Sequence, residues 1–215
     1  MKVLSTKILS NEQKKLFQNT NIGLVEYNAI SIQFLEFEAL DFIKNAIFSS
    51  QNAVQSIVEK KIKIENVFCV GEKTKQFLIK NGQNIVKMSK NASELGDFIK
   101  KNYQNEDFYF FSGNLRMEAI PDSIRASKNT IFELKTYKTE LNSMKFYQKW
   151  DGILFFSPSA VKSFTTHNSL TNTPIFCIGN TTAKEAKKHT ELIYIADNQS
   201  IEGVIEKAIK TLQND

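Results

Sequence analysis

Apolar residues in this chain fall in short runs, each closed by small polar residues and followed by a stretch of helical periodicity. Ala46-Ile47-Phe48 runs into Ser49-Ser50 and then a helical stretch through Gln51-Asn52-Ala53-Val54. Gly152-Ile153-Leu154-Phe155-Phe156 runs into Ser157-Pro158-Ser159 and then Ala160-Val161, in the same form. A second strand ending in glycine follows each, Val67-Phe68-Cys69-Val70-Gly71 and Ile175-Phe176-Cys177-Ile178-Gly179. The spacing then predicts a helix from Thr74 in one copy and from Thr181-Thr182 in the other. A third strand comes next, over 84–88 and 192–196, and then a serine placed to N-cap an amphipathic helix, Ser93 and Ser200. The paired landmarks stay in step, 107 residues apart for Ser50 and Ser157, 108 for Gly71 and Gly179, and 107 for Ser93 and Ser200. Agreement held over about 45 residues marks an internal duplication.

The two copies end differently. After its Ser93 helix the first continues through Phe108-Tyr109-Phe110-Phe111-Ser112, a helix expected around 116–126 and a strand over 130–137. The second stops at Asp215 after its Ser200 helix. The N-terminus supplies the missing parts, with a strand over Lys2–Ser5, a helix around 12–18 and a strand over 23–27. Ser5 lies 107 residues before Ser112, and Tyr27 lies 110 before Tyr137. The repeat is therefore cyclically offset. It predicts lobe A from residues 1–30 with 140–215, and lobe B from 33–135 inserted within it, joined by a two-stranded hinge with crossings near 29–33 and 134–139.

Alternation of short β-rich strands with helices makes each lobe an α/β unit, a doubly wound parallel sheet with helices on both faces. Right-handed crossovers bring every strand-to-helix turn to the carboxyl edge of its sheet, where ligands of such folds bind. Ser49-Ser50, the 71–74 turn and Ser112-Gly113-Asn114 are expected to line that edge in lobe B. Ser5-Thr6, Ser157-Pro158-Ser159 and the 179–182 turn are expected to line it in lobe A. Two such edges facing each other across a cleft, rich in hydroxyls and helix N-termini, would suit a ligand with several carboxylates or phosphates.

Composition narrows the chemistry. Hydrophobic residues make up 41% and charged residues 24%, an ordinary globular balance. The apolar runs are far too short to span a bilayer, the start of the chain reads as a strand and not a signal peptide, and there are two cysteines. The expected location is the cytoplasm. The net charge is +5, nearly all of it lysine on helix faces (Lys14-Lys15, Lys60-Lys61, Lys100-Lys101, Lys187-Lys188), with arginine only at Arg116 and Arg125. Such a distribution reads as a solvated surface with some attraction for an anionic ligand. His167 and His189 have no carboxylate or cysteine at ligand spacing, so no metal site is expected and both read as surface residues. Cys69 and Cys177 occupy equivalent strand positions and read as core thiols. The two glycine turns lack both the dinucleotide fingerprint and the P-loop ending, and neither strand-end serine sits in a nucleophile elbow.

The segments I-F-S-S-Q-N-A-V (47–54), V-G-E-K-T (70–74), F-S-G-N-L-R-M-E-A-I-P (111–121), T-Y-K-T (136–139), F-F-S-P-S-A (155–160) and I-G-N-T-T-A (178–183) resemble, in order and spacing, the uroporphyrinogen-III synthase family. The resemblance runs from the first strand to the last helix. It implies the same pair of lobes, one inserted in the other, and a monomer that works without a cofactor. Its substrate would be hydroxymethylbilane, a linear tetrapyrrole polycarboxylate, closed with loss of water and inversion of ring D. The resemblance further implies that Ser50, Thr74, Gly113, Asn114, Ser157, Thr181 and Thr182 contact substrate, and that Tyr137 assists departure of the hydroxyl. The family often has proline and arginine after the first-lobe serine, where this chain has Gln51 and Asn52; Lys7, Lys73 or Arg116 is placed to compensate.

Two other readings carry different tests. A non-enzymatic two-lobed clamp for a small polyanionic ligand is compatible with the fold, because fold does not fix function. Nucleic-acid binding rests on net charge alone, without an arginine stripe or an aromatic platform, and membrane association has no segment to support it.

Overall fold

Apolar runs form strands and the polar-faced stretches between them wind into helices in the computed structural model, which describes residues 1–38, 40–60 and 62–213. Of the expected Lys60-Lys61 pair, Lys61 lies outside the described residues, as does Asp215. In chain order the elements are β1 (Lys2–Ser5), α1 (Asn11–Lys15), β2 (Gly23–Glu26), β3 (Ile30–Phe34), β4 (Phe42–Phe48), α2 (Gln51–Gln55), β5 (Lys63–Val70) and α3 (Glu72–Lys80). They continue with β6 (Ile85–Ser89), α4 (Ala92–Asn102), β7 (Asp107–Gly113), α5 (Ala119–Arg125) and β8 (Thr130–Leu141). The last are β9 (Gly152–Phe155), α6 (Pro158–Thr165), β10 (Ile175–Cys177), α7 (Asn180–Ala186), β11 (Ile193–Ile195) and α8 (Ile201–Gln213).

The chain divides into two compact units, one from residues 1–31 with those from Glu140 onward, the other from residues 32–139. The first holds a sheet of order β11-β10-β9-β1-β2, every neighbouring pair parallel. The second holds β3-β8-β7-β4-β5-β6, parallel from β8 to β6. Removing β3 and reversing the second order gives β6-β5-β4-β7-β8, which matches the first strand for strand. The two N-terminal strands thus take the places that β7 and β8 hold in the other unit. Both passages between the units run within strands, β3 and β8. The Leu35 N–H donates to Thr136 O (3.0 Å) and the Asn142 N–H to Ala29 O (2.9 Å), so these two segments run in opposite directions.

Each sheet is covered on both faces, which is why its central strands end in unbroken apolar runs, while strands such as β2 and β8 alternate. In the first unit Leu4, Ile153, Phe155 and Cys177 pack with Val161, Phe164 and Ala186 of α6 and α7. The neighbours Val3, Leu154 and Phe176 point the other way, onto Val204, Ala208 and Leu212 of α8. The second unit repeats this. Phe48, Val67, Cys69 and Phe111 face Ala53, Val54 and Leu78, while Ile47, Phe68, Phe108 and Phe110 face Leu95, Ile99, Ile120 and Ile124. Each fully buried side chain of this size contributes roughly 1.5–3 kcal/mol.

Register corrects two of the expected equivalences. Ile47 and Leu154 correspond, since they pair with Phe68 and Phe176 respectively. Across the sheet Ile47 pairs with Phe110 but Leu154 pairs with Ser5. Phe110, not Ser112, therefore stands where Ser5 does. Phe110 and Ser5 pair in turn with Glu133 and Glu26, which makes Leu134 and not Tyr137 the counterpart of Tyr27. The two glutamates do matching work. Glu26 accepts from the Leu9 N–H (2.7 Å) and pairs with Lys14 (2.7 Å), pinning the β1–α1 connection. Glu133 pairs with Arg116 and Arg125 and pins the β7–α5 connection.

Helix starts also shift. Ser200 caps α8, its Oγ accepting from the Gly203 N–H at 2.9 Å. Ser93 lies inside α4, whose cap is Asn91, with extended backbone and a side chain accepting from the Glu94 N–H at 2.9 Å. Asparagine caps as well as serine, and the residue with extended backbone takes the role. α3 begins at Glu72, ahead of Thr74, because Gly71 adopts φ 83° and turns the chain into the helix at once.

Candidate active site

Sheet register brings three turns of the second unit together. Phe48 pairs with both Cys69 and Phe111, so Ser49-Ser50, Val70-Gly71 and Ser112-Gly113 leave the sheet side by side at its carboxyl edge. Ser50 caps α2 in extended conformation and its Oγ accepts from the Ala53 N–H at 3.1 Å. The same Oγ lies 2.9 Å from the Tyr137 hydroxyl. Two residues 87 positions apart therefore share a hydrogen bond at the edge.

The other expected residues of this edge divide by role. Gly113 pairs with Tyr137, and a Cβ on it would stand 2.4 Å from the tyrosine ring, so only glycine admits the ring there. The Asn114 Oδ1 accepts from the Thr139 N–H (2.7 Å) while its Nδ2 donates to Thr139 O (3.2 Å), so its amide is engaged with backbone. Thr74 is 5% exposed in the first turn of α3. Sequence reasoning missed the exposed apolar pair Leu115 and Met117, 50% and 68% exposed, in the turn after Asn114. They offer surface to an apolar ring, and their occurrence in a loop otherwise built of polar residues was the available signal.

The carboxyl edge of the first unit is formed likewise by Thr6, Ser157 and Gly179, since Leu154 pairs with Ser5 and Phe176, and Phe155 with Cys177. Ser157 reproduces Ser50, capping α6 in extended conformation with its Oγ 3.1 Å from the Ala160 nitrogen. Thr181 is exposed in the first turn of α7, whereas Thr182 is 2% exposed. Thr182 therefore packs inward, and Thr181 is the one of the pair open to a ligand. The Thr6 hydroxyl is taken up by Leu154 O at 2.7 Å. Gly179 is extended, unlike Gly71, and its Cα faces the Gln199 side chain.

Cations near the edges are not equivalent. Arg116 is held by Glu118 and Glu133, so it is committed to the fold and does not replace a missing substrate arginine. Lys7 and Lys73 are exposed, one directly after Thr6 and one in the first turn of α3. Cys69 and Cys177 are fully buried, and burial pushes their thiols up to about 11 and about 12. His167 and His189 are exposed beyond the C-terminal ends of α6 and α7, away from the carboxyl edge. A hollow of about 510 Å³ lined by Phe146, Trp150, Phe164 and His167 lies at the amino-terminal side of β9 and holds none of the edge residues. The chemistry the edges offer is hydroxyl and amide hydrogen bonding, with the ammonium groups of Lys7 and Lys73 exposed beside them.

This fold matches known proteins. The family model described as uroporphyrinogen-III synthase HemD matches residues 13–206. No curated protein matches the chain. Among solved structures, uroporphyrinogen-III synthetase from Helicobacter pylori is similar at 17% identity and a TM-score of 0.65, covering 98% of this chain and 99% of that one. A mutant uroporphyrinogen III synthase from the extreme thermophile Thermus thermophilus is similar at 9% identity and a TM-score of 0.75, with all of both chains covered. The wild-type Thermus protein in a second crystal form gives 0.56 at 9% identity, over 100% of this chain and 98% of that one. At such identities the structures speak for the fold, and the family model, which spans most of the sequence, settles the family. The chain belongs to the uroporphyrinogen-III synthase family, the cyclising hydro-lyases of tetrapyrrole biosynthesis.

Proposed function

We propose that this chain closes hydroxymethylbilane to uroporphyrinogen III, with the Ser50–Tyr137 hydroxyl pair handling the proton of the leaving group. Family membership over residues 13–206 carries the reaction. Within the chain, the 2.9 Å contact between those two hydroxyls supports this edge as its chemical centre. The reaction begins as the terminal C–OH bond of the substrate breaks. The hydroxyl takes up a proton and leaves as water, and the pyrrole nitrogen lone pair forms the protonated azafulvene, which keeps its N–H. Carbon attack on that electrophile gives a spiro-pyrrolenine. Its fragmentation and reclosure invert ring D, and loss of a ring proton restores the aromatic pyrrole.

Each step moves protons and holds a floppy chain in one geometry; none requires a side-chain nucleophile. The Tyr137 O–H donates to the departing hydroxyl, and Ser50, whose Oγ is fixed by the Ala53 N–H, orients the phenol. Substrate carboxylates are met at the second unit's edge by the N-terminal amides behind Ser50 and the exposed ammonium group of Lys73; Ser157, Thr181 and Lys7 offer the same kinds of group at the first unit's edge. Thr74 and Thr182, nearly buried, shape the turns beneath. No cofactor takes part in this scheme. The proposed working form is a cytoplasmic monomer with no nucleic-acid or membrane partner; no helix among the described residues is long and apolar enough to cross a membrane.

Tyr137→Phe tests the assignment. It removes the hydroxyl and keeps the ring, so kcat should fall about 100-fold, the lower end of what a positioned proton donor contributes, with an unchanged urea midpoint. Full activity in this variant would remove Tyr137 from the mechanism.

A further inference from the structure

We infer that Gly113 and Asn114 act on the reaction through Tyr137, as positioning residues that hold a β-bulge, and are not themselves substrate ligands. The inference rests on the reading that Tyr137 handles the leaving group. In a regular strand, residues three apart face opposite sides of the sheet. Leu134 and Tyr137 are three apart, yet both pack on the same core cluster with Phe48 and Phe111. The register explains it. Ser112 pairs with Lys135 but Gly113 pairs with Tyr137, so β8 carries one extra residue opposite β7, and the alternation reverses there. The extra residue brings the phenol onto the face where Ser50 waits.

Two neighbours secure that arrangement. Phe111 and Gly113 lie on one face of β7, and the phenol covers the place that a Gly113 Cβ would occupy, 2.4 Å from the ring. β7 ends at Gly113, and beyond it the Asn114 amide continues the ladder by side chain, accepting from the N–H and donating to the carbonyl of Thr139. Thr139 lies two residues past Tyr137, so the bulge is closed on one side by main-chain pairing and on the other by this amide. An asparagine with both ends of its amide spent on one backbone residue is a clamp.

A double-mutant cycle separates clamp from ligand. Asn114→Ala should lower kcat about tenfold while KM stays within a factor of about two, the pattern of lost positioning and not lost binding. In the Tyr137→Phe background the same substitution should cost almost nothing further, since the group it positions is already gone. Asn114→Asp keeps the acceptor for the Thr139 N–H and should recover part of the loss; it replaces Asn114→Ala in the cycle if that variant is unfolded by circular dichroism. Equal losses in the two backgrounds, or a rise in KM at unchanged kcat, would make Asn114 a substrate contact and overturn the inference. A wild-type protein that gave no excess of the III isomer would remove the underlying reading and this inference with it. Additive losses in an active wild type overturn the inference alone.

Discussion

Cys69 and Cys177 stand at equivalent points of β5 and β10, and Tyr27 lies under the sheet edge against Phe146, its hydroxyl buried without a partner among the described residues. Burial pushes the thiols up to about 11 and about 12 and the phenol up to about 12. All three are neutral acids whose unfolded values are lower, near 8.5 for cysteine and about 10 for tyrosine. The folded state holds more protons than the unfolded state between those limits, so stability is intact below the unfolded values and lost as pH rises through roughly 9 to 12. Urea midpoints should therefore fall between about pH 8 and pH 11, and Tyr27→Phe should flatten that fall. A midpoint independent of pH over this range would contradict the burial. An aromatic disulfide reagent should likewise find no reactive thiol in the native protein at about pH 8 and two after unfolding. Gly113→Ala belongs at this scale too: the new methyl must displace the Tyr137 ring, costing about 1–3 kcal/mol by overpacking and lowering kcat toward the Tyr137→Phe level. The cysteines, Ser50 and Ser157 were readable from sequence because strand ends and caps have local signatures. The bulge at Thr136 was not, because an inserted residue changes only which neighbour is opposite.

At the scale of elements, short apolar runs such as 46–48, 67–70 and 153–156 marked the central strands, whose carboxyl-terminal halves are covered on both faces, while β8 and the first half of β5 carry polar residues in alternation. Caps were less certain wherever two good capping residues stood close, as Asn91 and Ser93 do. Register was out of reach: Ser5 and Ser112 keep the spacing of a repeat and still occupy different places, because β1 and β7 meet their neighbours two residues out of step. The glutamates at the equivalent sites, Glu26 and Glu133, became visible only through that register. Glu133 and Glu118 each pair with both arginines of the chain, with Arg116 and Glu133 the less exposed partners. Glu133→Gln should therefore destabilise by about 2 kcal/mol in urea titration, because a partly buried guanidinium loses the less exposed of its two charge partners. An effect below about 0.5 kcal/mol would class the cluster with ordinary surface pairs.

For the molecule as a whole, the repeat in the sequence corresponds to one strand order realised twice, with the N-terminal strands completing the sheet that the C-terminal half begins. Residues 32–139 contain a sheet with a cluster of buried apolar residues on each face, and β8 runs on past its sequence-based end at 137 to Leu141. What the sequence could not supply was chemical asymmetry. Both edges carry a capping serine in the same conformation, but among the described residues only Ser50 has a tyrosine hydroxyl beside it. The duplication made two matching edges, and the bulge equipped one of them. The most direct test supplies hydroxymethylbilane to the wild-type protein and resolves the oxidised porphyrin isomers by chromatography. The account predicts the III isomer in clear excess, with the excess lost in Tyr137→Phe as the spontaneous I isomer overtakes it. Formation of the I isomer alone, at the rate seen without protein, would contradict it and leave a two-unit polyanion binder in its place.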